Sequence, residues 1–340
     1  MRIWFTRGFS LQAIGACVQE ALPAHHVLIS GGPGRPGDRF VAIEEPGTGD
    51  EASYLDFVRA TVAREAIDLV VPTRRAALLD RSRDGIACRI ETAAPAASLD
   101  TINDKLAFAR ALGDDPLLPV GFAVHGLDDF DRAIAWFEER GKVACIKPAK
   151  GVNGAGFQTL IDDDLLTQLA FPDRREIRPE VMRTAIRAAE RAGTLEPQIV
   201  MEFLPGEELS FDALCWHGRL LKYAVRTKID EQVQTLVTRH ELAGEVAALI
   251  ERFALHGLVN VQFRHRADGT PAILEINPRP AGGSVFSEQA GGGLIGDWAR
   301  LLAGEMQARE VASTDIAVTL RRDGGMRVVP DPDTVGRRGP

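Results

Sequence analysis

Short apolar runs alternate with amphipathic stretches over the first part of the chain. Arg2–Thr6, His26–Ser30 and Asp68–Pro72 have the composition of buried strands, whereas Leu11–Leu22 and Glu51–Ala66 show the spacing of helices. Because two parallel strands are normally joined by a helical crossover, this alternation predicts a parallel, doubly wound sheet. We therefore predict that the N-terminal part of the chain folds around such a sheet.

The second half of the chain contains a clear hairpin signal. Two runs that alternate apolar and polar residues, Leu258–Arg266 and Thr270–Asn277, flank the dipeptide Asp268-Gly269. Asp-Gly between alternating runs is a strong signal for a hairpin with a two-residue turn. We predict an antiparallel hairpin centred on this dipeptide.

The predicted turn determines which side chains of the hairpin share a face. It places Gln262 opposite Glu275 and Asn260 opposite Asn277, so that four oxygen-bearing side chains lie together. The other face is apolar and should belong to the core. Its residues are Val259, Val261, Phe263, Leu274 and Ile276.

The polar face of this hairpin has two interpretations. A carboxylate and carboxamides suit Mg²⁺, which keeps several waters and is usually completed by substrate phosphates. Arg279, just beyond the hairpin, could bind such a phosphate. The same pattern also fits the polar outer face of an edge hairpin, since Asn and Gln do occur on exposed strand faces.

A glycine-rich loop follows an apolar strand within Val143–Phe157. Lys147 ends the strand, where it could reach a phosphate. Gly151, Gly154 and Gly156 lack the Cβ atoms that would keep backbone N–H groups away from phosphate oxygens. The segment is not a Walker loop, because no GK[ST] follows. Taken alone, it fits a turn as well as a phosphate-binding loop.

Two further strands carry candidate ligand contacts. Gln198–Leu204 has the composition of a buried strand that ends at a Pro-Gly turn, where its edge could offer backbone groups to a purine. Tyr223–Lys228 places Arg226 and Lys228 on one strand face, because side chains alternate along a strand.

Composition and charge exclude several classes of protein. With 340 residues, of which 45% are hydrophobic and 26% are charged, the chain is typical of a globular protein of two or three domains. A net charge of -8 argues against nucleic acid as a partner. The four cysteines are scattered, and no run has the length of a membrane span or the pattern of a signal peptide. We expect a cytoplasmic protein without a membrane partner.

Several motifs occur in a characteristic order. They are NDK at Asn103–Lys105, KPAKGVNGAGF at Lys147–Phe157, MEFLPGEELSFD at Met201–Asp212, NVQF at Asn260–Phe263 and LEINPRP at Leu274–Pro280. With these motifs the chain resembles the ATP-grasp superfamily, in particular single-chain relatives of the large subunit of carbamoyl-phosphate synthase. The resemblance implies an α/β and α+β protein, in which a doubly wound parallel sheet precedes a two-subdomain ATP-grasp fold with mostly antiparallel sheets.

The resemblance also implies a domain organisation. A pre-ATP-grasp, Rossmann-like domain would be followed by an ATP-grasp domain and a C-terminal segment. In that segment we expect a strand and, from its polar composition rich in Pro, Gly and Arg, a disordered tail at Asp331–Pro340. The expected limits are 1–97 for the first domain, 98–310 for the ATP-grasp domain and 311–340 for the C-terminal segment. Within the ATP-grasp domain, residues 98–200 would form a linker helix and the glycine-loop lid, and residues 201–310 the metal and nucleotide core.

The family pattern assigns roles to individual residues. ATP would lie between the two subdomains, in contact with Lys105, Lys147, Gly151, Asn153, Gly154, Ala155, Gly156, Glu202, Phe203, Leu204 and Glu208. Glu202 and Leu204 would meet adenine through backbone groups, and Glu208 would bind the ribose hydroxyls. Metal ligands would be Gln262, Glu275 and Asn277, and catalytic residues would be Arg279, Arg226 and Lys228. Asn260 has no ligand role in the pattern, and we expect it to support Asn277.

One departure from the pattern leaves the number of metal ions open. Many relatives have a carboxylate where this chain has Gln262, so one or two Mg²⁺ ions fit, with Mn²⁺ as a substitute. We expect no counterpart of the additional C-terminal domain of biotin carboxylases, which argues against carboxylation. Ser284, Ser287 and Glu288 fit either the substrate pocket or an ordinary helix start.

The resemblance implies an ADP-forming carboxylate-amine ligase. It would activate a small carboxylate, such as an amino acid or a peptide, as an acyl phosphate and join it to an amine. One alternative is phosphorylation of a carboxylate with a thiol or bicarbonate as the acceptor, and another is a non-catalytic ATP-binding regulator. Expected partners are small-molecule substrates and, by default for a soluble enzyme, a second copy in a homodimer.

Overall fold

The computed structural model describes residues 1–8, 11–31, 42–46, 49–151, 154–171, 174–230 and 233–321. Two predictions lie outside these residues: the phosphate contact of Asn153 and the disordered tail Asp331–Pro340. The described residues form three β-sheets with helices packed against them. None of the described helices is long and apolar enough to cross a membrane.

The first sheet is the predicted doubly wound sheet. Its strands are β1 (Arg2–Phe5), β2 (His26–Gly31), β3 (Ala42–Glu44), β4 (Leu69–Val71) and β5 (Arg89–Ile90), and its helices are α1 (Leu11–Ala21), α2 (Glu51–Glu65) and α3 (Ala76–Arg81). All strand pairs are parallel, in the order β3-β2-β1-β4-β5. The chain runs outward from β1 to β3 and then returns to the other side of β1. The strand order therefore reverses between β1 and β4, which is where such sheets offer a crevice for ligands.

The second sheet is mostly antiparallel. Its elements, with the two helices that precede it, are α4 (Ala96–Asn103), α5 (Lys105–Leu112), β6 (Gly121–Val124), α6 (Leu127–Glu138), β7 (Ala144–Pro148), β8 (Gln158–Leu160), α7 (Leu165–Ala170), β9 (Glu176–Ile177), α8 (Pro179–Ala192) and β10 (Gln198–Glu202). The strand order is β6-β10-β7-β8-β9, and only β8 and β9 are parallel. Buried aromatic residues of α6, Phe130 and Phe137, pack against this sheet.

The third sheet is antiparallel throughout. Its elements are β11 (Glu208–Trp216), β12 (Arg219–Lys228), β13 (Val233–Val237), α9 (Ala243–Arg252), β14 (Gly257–His265), β15 (Pro271–Asn277), α10 (Ser284–Gln289), α11 (Leu294–Ala303) and β16 (Ala317–Arg321). The strand order is β15-β14-β11-β12-β13-β16. One parallel sheet followed by two largely antiparallel ones confirms the predicted fold class. The predicted domain limits stay predictions.

The first and third sheets share a hydrophobic core. It contains Phe5 and Trp298, whose rings meet edge to face with centroids 5.7 Å apart. Helix α1 of the first sheet packs against α10 and α11 of the third. This shared core holds the N-terminal domain against the residues that follow the hairpin.

The β14–β15 hairpin has the predicted pairing at one end but not at its turn. The turn has three residues instead of the predicted two, because the Arg266 N–H donates to the Thr270 carbonyl at 2.8 Å. Gly269 ends the turn at φ +82°, a left-handed conformation that glycine adopts at little cost. A bulge at Leu274 then adds one residue to β15. The bulge compensates for the longer turn, so the pairs at the far end of the hairpin keep the predicted register.

The bulge changes one residue of the core face. The prediction that Leu274 faces the core is wrong, because its side chain is only partly buried. Ile273 takes its place with 2% of its surface exposed. The other four predicted residues, Val259, Val261, Phe263 and Ile276, are buried.

Candidate active site

The polar face of the hairpin brings together the predicted metal ligands. Gln262 pairs with Glu275, and Asn260 pairs with Asn277. The Asn277 amide donates to Glu275 Oε1 at 2.9 Å and to Asn260 Oδ1 at 3.5 Å. Asn260 is fully buried beneath this face. It contacts Asn277, in agreement with the supporting role expected from the sequence.

Three cationic side chains interact electrostatically with the Glu275 carboxylate. Burial lowers the pKa of Lys105 and that of Arg279, and the Glu275 carboxylate opposes both shifts. Burial also lowers the pKa of Lys147, and the nearby charge of Lys105 acts in the same direction. Glu275 is thus the carboxylate that acts on all three cations, and Asp104 acts in addition on Lys105. This local excess of positive charge, in a protein that is acidic overall, suits a polyphosphate.

Lys105 owes its position to the start of α5. The Asp104 carboxylate caps this helix by accepting two backbone N–H groups of its first turn, each at 3.0 Å. The Lys105 backbone N–H donates to the Ala149 carbonyl at 2.9 Å, and its ammonium donates to the Gly151 carbonyl at 3.1 Å. The helix start is thereby attached to the glycine-rich loop.

The glycine-rich loop has a backbone that favours glycine at three positions. Gly151, Gly154 and Gly156 have φ angles of +147°, +63° and +74°. A Cβ atom on Gly156 would also lie 2.8 Å from two ring carbons of Pro148. Ala155 is exposed at the tip. The contacts of these residues with phosphate stay predictions.

The end of β10 presents backbone groups at the predicted adenine position. The N–H groups of Glu202 and Phe203 donate to the carbonyls of Val120 and Val143, at 2.9 and 3.0 Å. By contrast, no described residue accepts a hydrogen bond from the N–H of Leu204, although Leu204 is only 4% exposed. A buried N–H without a partner is costly unless a ligand satisfies it, which fits contact with a purine nitrogen.

The side chains of Glu202 and Glu208 are engaged in ion pairs. Glu202 is buried, and its carboxylate lies 2.9 Å from Lys142 Nζ and 3.4 Å from Arg266 Nε. Glu208 lies 3.7 Å from the ammonium of Lys228, which is largely exposed. The Glu202 side chain and its backbone N–H are therefore both engaged, and the contact of its backbone with adenine stays a prediction.

Arg226 and Lys228 lie on the same strand but in different surroundings. Lys228 is at the surface, whereas Arg226 is buried and paired with Asp212. The guanidinium donates from Nε to Asp212 Oδ2 at 2.7 Å and from Nη2 to Ser210 Oγ at 2.9 Å. Sequence reasoning gave Asp212 no role. A carboxylate in the middle of the largely apolar strand β11 was the available signal, because buried charges need partners.

Ser284 and Ser287 contact this buried pair. Both side chains are fully buried, and their hydroxyls donate to the Asp212 carboxylate at 2.8 and 3.5 Å. Glu288 instead accepts two backbone N–H groups from the first turn of α11, at 2.8 and 3.1 Å. Ser284 is the first residue of α10, as the interpretation of a helix start expects, and all three side chains form hydrogen bonds within the protein.

Arg279 borders the N-terminal domain. A cavity of about 20 Å³ is lined by Arg279 and by residues 71–73, which follow β4. Glu91 and His256 lie in the same lining, with His256 Nε2 3.2 Å from Glu91 Oε2. The carboxyl edge of the first sheet therefore meets the end of the hairpin at Arg279.

The oxygen donors fit a magnesium ion that is shared with a nucleotide. Among the described residues, no group of three or more His, Cys, Asp or Glu side chains could hold a metal by itself. Glu275, Gln262 and Asn277 supply one carboxylate and two amide oxygens, and no described residue forms a hydrogen bond with the Gln262 amide. Mg²⁺ commonly binds through one or two carboxylates and completes its shell with phosphates and water.

Several solved structures share the fold of this chain. The L-amino acid ligase of Bacillus licheniformis has a TM-score of 0.62 and 15% identity, covering 92% of this chain and 77% of the ligase. A carboxyaminoimidazole ribonucleotide synthase from Aspergillus clavatus, complexed with ATP, has a TM-score of 0.63 and 13% identity, covering 92% and 80%. The biotin carboxylase domain of 2-oxoglutarate carboxylase from Hydrogenobacter thermophilus, bound to MgADP and bicarbonate, has a TM-score of 0.61 and 14% identity, covering 90% and 70%.

At 13% to 15% identity, these likenesses show that the chain shares the fold of these proteins. More narrowly, residues 194–323 match the family described as ATP-grasp in the biosynthetic pathway with Ter operon. No curated protein matches the chain in sequence at a significant level. The closer resemblance to the large subunit of carbamoyl-phosphate synthase stays a prediction.

Proposed function

We propose that the protein is an ATP- and Mg²⁺-dependent ligase. It activates a small carboxylate, such as an amino acid or a peptide, as an acyl phosphate and joins it to an amine, releasing ADP and phosphate. The gathering of Lys105, Lys147 and Arg279 around Glu275, beside the two amides, is the observation that carries the proposal. The L-amino acid ligase of similar fold supports an amino acid as the substrate.

The proposed chemistry has two steps. An oxygen of the substrate carboxylate attacks the γ-phosphorus of ATP, the bond to the bridging oxygen breaks, and ADP leaves with that electron pair. The amine nitrogen then attacks the acyl carbon and loses a proton, and phosphate leaves. Neither step needs a nucleophilic side chain, because phosphoryl transfer depends mainly on positioning and on charge compensation.

The residues of the site match these requirements. Lys105 and Lys147 would bind phosphate oxygens, and Arg279 would bind the transferred phosphoryl group at the border with the N-terminal domain. The glycine-rich loop would close over the triphosphate and exclude water from the reactive acyl phosphate. Bound Mg²⁺ would supply positive charge to the phosphate oxygens.

A screen for ADP release tests the proposal. The purified protein is incubated with ATP, Mg²⁺ and pairs of amino acids and short acids, and ADP is measured. The proposal predicts release only when both an acid and an amine are present. Hydroxylamine added with the acid alone should trap the acyl phosphate as a hydroxamate.

A second candidate is a ligase or carboxylase with a non-amine acceptor. It is favoured by the similar fold of a biotin carboxylase domain whose structure contains bicarbonate. In that case ADP release requires bicarbonate or a thiol and is independent of amines. A non-catalytic regulator is the remaining alternative, and it predicts that Glu275→Ala leaves cellular function intact.

A further inference from the structure

A buried polar network lies directly behind the polar face of the hairpin. At its centre is Asp212, whose side chain is fully buried. The other members come from β11, β12, β14 and α10, and each is at most 6% exposed. They are Ser210, Arg226, Asn260, Ser284 and Ser287.

Asp212 accepts hydrogen bonds from every side of this network. Its Oδ2 accepts from Arg226 Nε at 2.7 Å, and its Oδ1 accepts from Arg226 Nη2 at 3.3 Å. The Asn260 amide and the Ser284 hydroxyl also donate to Oδ1, at 3.1 and 2.8 Å. A carboxylate bound in this way cannot rotate without breaking several hydrogen bonds in a region without solvent.

This arrangement determines how Arg226 is presented. Nε and Nη2 are directed to Asp212 and Ser210, and no described residue accepts a hydrogen bond from Nη1. Nη1 lies against the backbone of Gly283, where a Cβ atom would be 2.1 Å from it. Gly283 belongs to the segment that follows Arg279. The free edge of the guanidinium is therefore directed toward the segment that carries the proposed phosphate-binding arginine.

The same carboxylate reaches the proposed metal ligands through Asn260. The Asn260 amide donates to Asp212, and its carbonyl oxygen accepts from Asn277 at 3.5 Å. Asn277 in turn donates to Glu275 Oε1 at 2.9 Å. One chain of hydrogen bonds thus joins Asp212 to both groups of proposed catalytic side chains.

We propose that Asp212 is a positioning residue of the active site, which holds Arg226 so that Nη1 binds an anionic oxygen of the reacting carboxylate or phosphoryl group. Gly283 also contributes to the position of Arg226, because the absence of a side chain at Gly283 leaves the space that Nη1 occupies. The inference rests on the proposed ATP-dependent ligase function. It assigns Arg226 one contact with substrate, through Nη1, instead of a clamp formed by the whole guanidinium.

Two pairs of matched variants test the role of Asp212. Asp212→Asn is compared with Asp297→Asn, since Asp297 forms another buried ion pair, with Lys222 at 2.8 Å, outside this network. Gly283→Ala is compared with Gly244→Ala, because a Cβ atom on Gly244 meets nothing within 4 Å. For each variant, ADP release is measured with the acid and amine pair that is most active with the wild type. Affinity for metal-free ADP is measured by calorimetry.

The inference predicts that Asp212→Asn and Gly283→Ala lower kcat by about 100-fold, the typical effect of losing one electrostatic contact in a transition state. Affinity for metal-free ADP should be unchanged, and the two control variants should keep the wild-type kcat. If Asp212 contributed to stability alone, Asp212→Asn and Asp297→Asn would change kcat to the same extent. If Asp212→Asn does not fold, the kcat of Gly283→Ala relative to that of Gly244→Ala decides whether Arg226 is positioned as proposed.

The outcomes separate this inference from the proposed function. If the wild type is active and both Asp212→Asn and Gly283→Ala retain the kcat of their controls, the positioning role is refuted while the ligase proposal stands. If the wild type releases no ADP with any pair of substrates, the proposed function itself has failed, and the inference fails with it.

Discussion

Gly156→Ala should weaken ATP binding through the backbone of the glycine-rich loop. Gly156 has φ +74°, and a left-handed conformation costs an L-residue about 1–2 kcal/mol. The added Cβ would also lie 2.8 Å from the ring of Pro148, so the loop has to shift. If the observed loop is the one that binds ATP, this cost reduces affinity by about 5- to 30-fold.

Calorimetric titration with ATP measures this effect, and Gly141→Ala is the matched control. Gly141 has φ +59°, a similar backbone strain, but a Cβ atom there meets nothing within 4 Å, and it lies beyond the end of α6. The control should lower the free energy of unfolding by a similar amount and leave ATP affinity unchanged. Equal ATP affinities for Gly156→Ala and wild type would refute the proposed role of the loop, as would an equal loss of affinity in both variants.

Two further predictions concern protonation and the hairpin. The lowered pKa of Lys147 predicts that ATP affinity falls as pH rises through that lowered value, below the usual lysine pKa of about 10.4. Lys147→Met should weaken this dependence in pH-resolved titrations, and the part that remains belongs to Lys105, whose pKa is also lowered by burial. Without nucleotide, the free energy of unfolding should instead rise across the same window, because Lys147 binds its proton more tightly in the unfolded state. Ile273→Ala should lower the free energy of unfolding, measured by urea denaturation, by about 2–5 kcal/mol, and Leu274→Ala should lower it clearly less. The opposite order would contradict the bulge at Leu274.

The hairpin shows which features of strand pairing could be predicted from the sequence and which could not. Alternation and Asp-Gly were sufficient to predict that Gln262 faces Glu275. They could not reveal that the turn has one more residue and that a bulge at Leu274 restores the register. The turn uses the left-handed conformation of Gly269, and beside the bulge the Ile273 N–H donates to the Leu117 carbonyl at 2.8 Å. Alternation describes neither feature.

The buried network around Asp212 could not be predicted from local sequence patterns, for a different reason. Ser210 and Asp212 are close in sequence, but Arg226, Asn260 and Ser284 come from other elements. The pairing of β11 with both β12 and β14 brings Arg226 and Asn260 to Asp212, and the position of α10 adds Ser284. Sequence could assign a positive charge to Arg226, but not the carboxylate that orients it.

The Mg²⁺ dependence of nucleotide affinity tests the central claim most directly. ADP is titrated into wild type and Glu275→Gln, with Mg²⁺ and with EDTA, and exposed Glu251→Gln serves as the control. We predict that Mg²⁺ strengthens binding to the wild type and the control but not to Glu275→Gln. With EDTA, Glu275→Gln should bind ADP at least as tightly as the wild type, because a negative charge has been removed from beside Lys105, Lys147 and Arg279. An unchanged Mg²⁺ effect in Glu275→Gln would contradict the assignment of this hairpin face as the metal and nucleotide site.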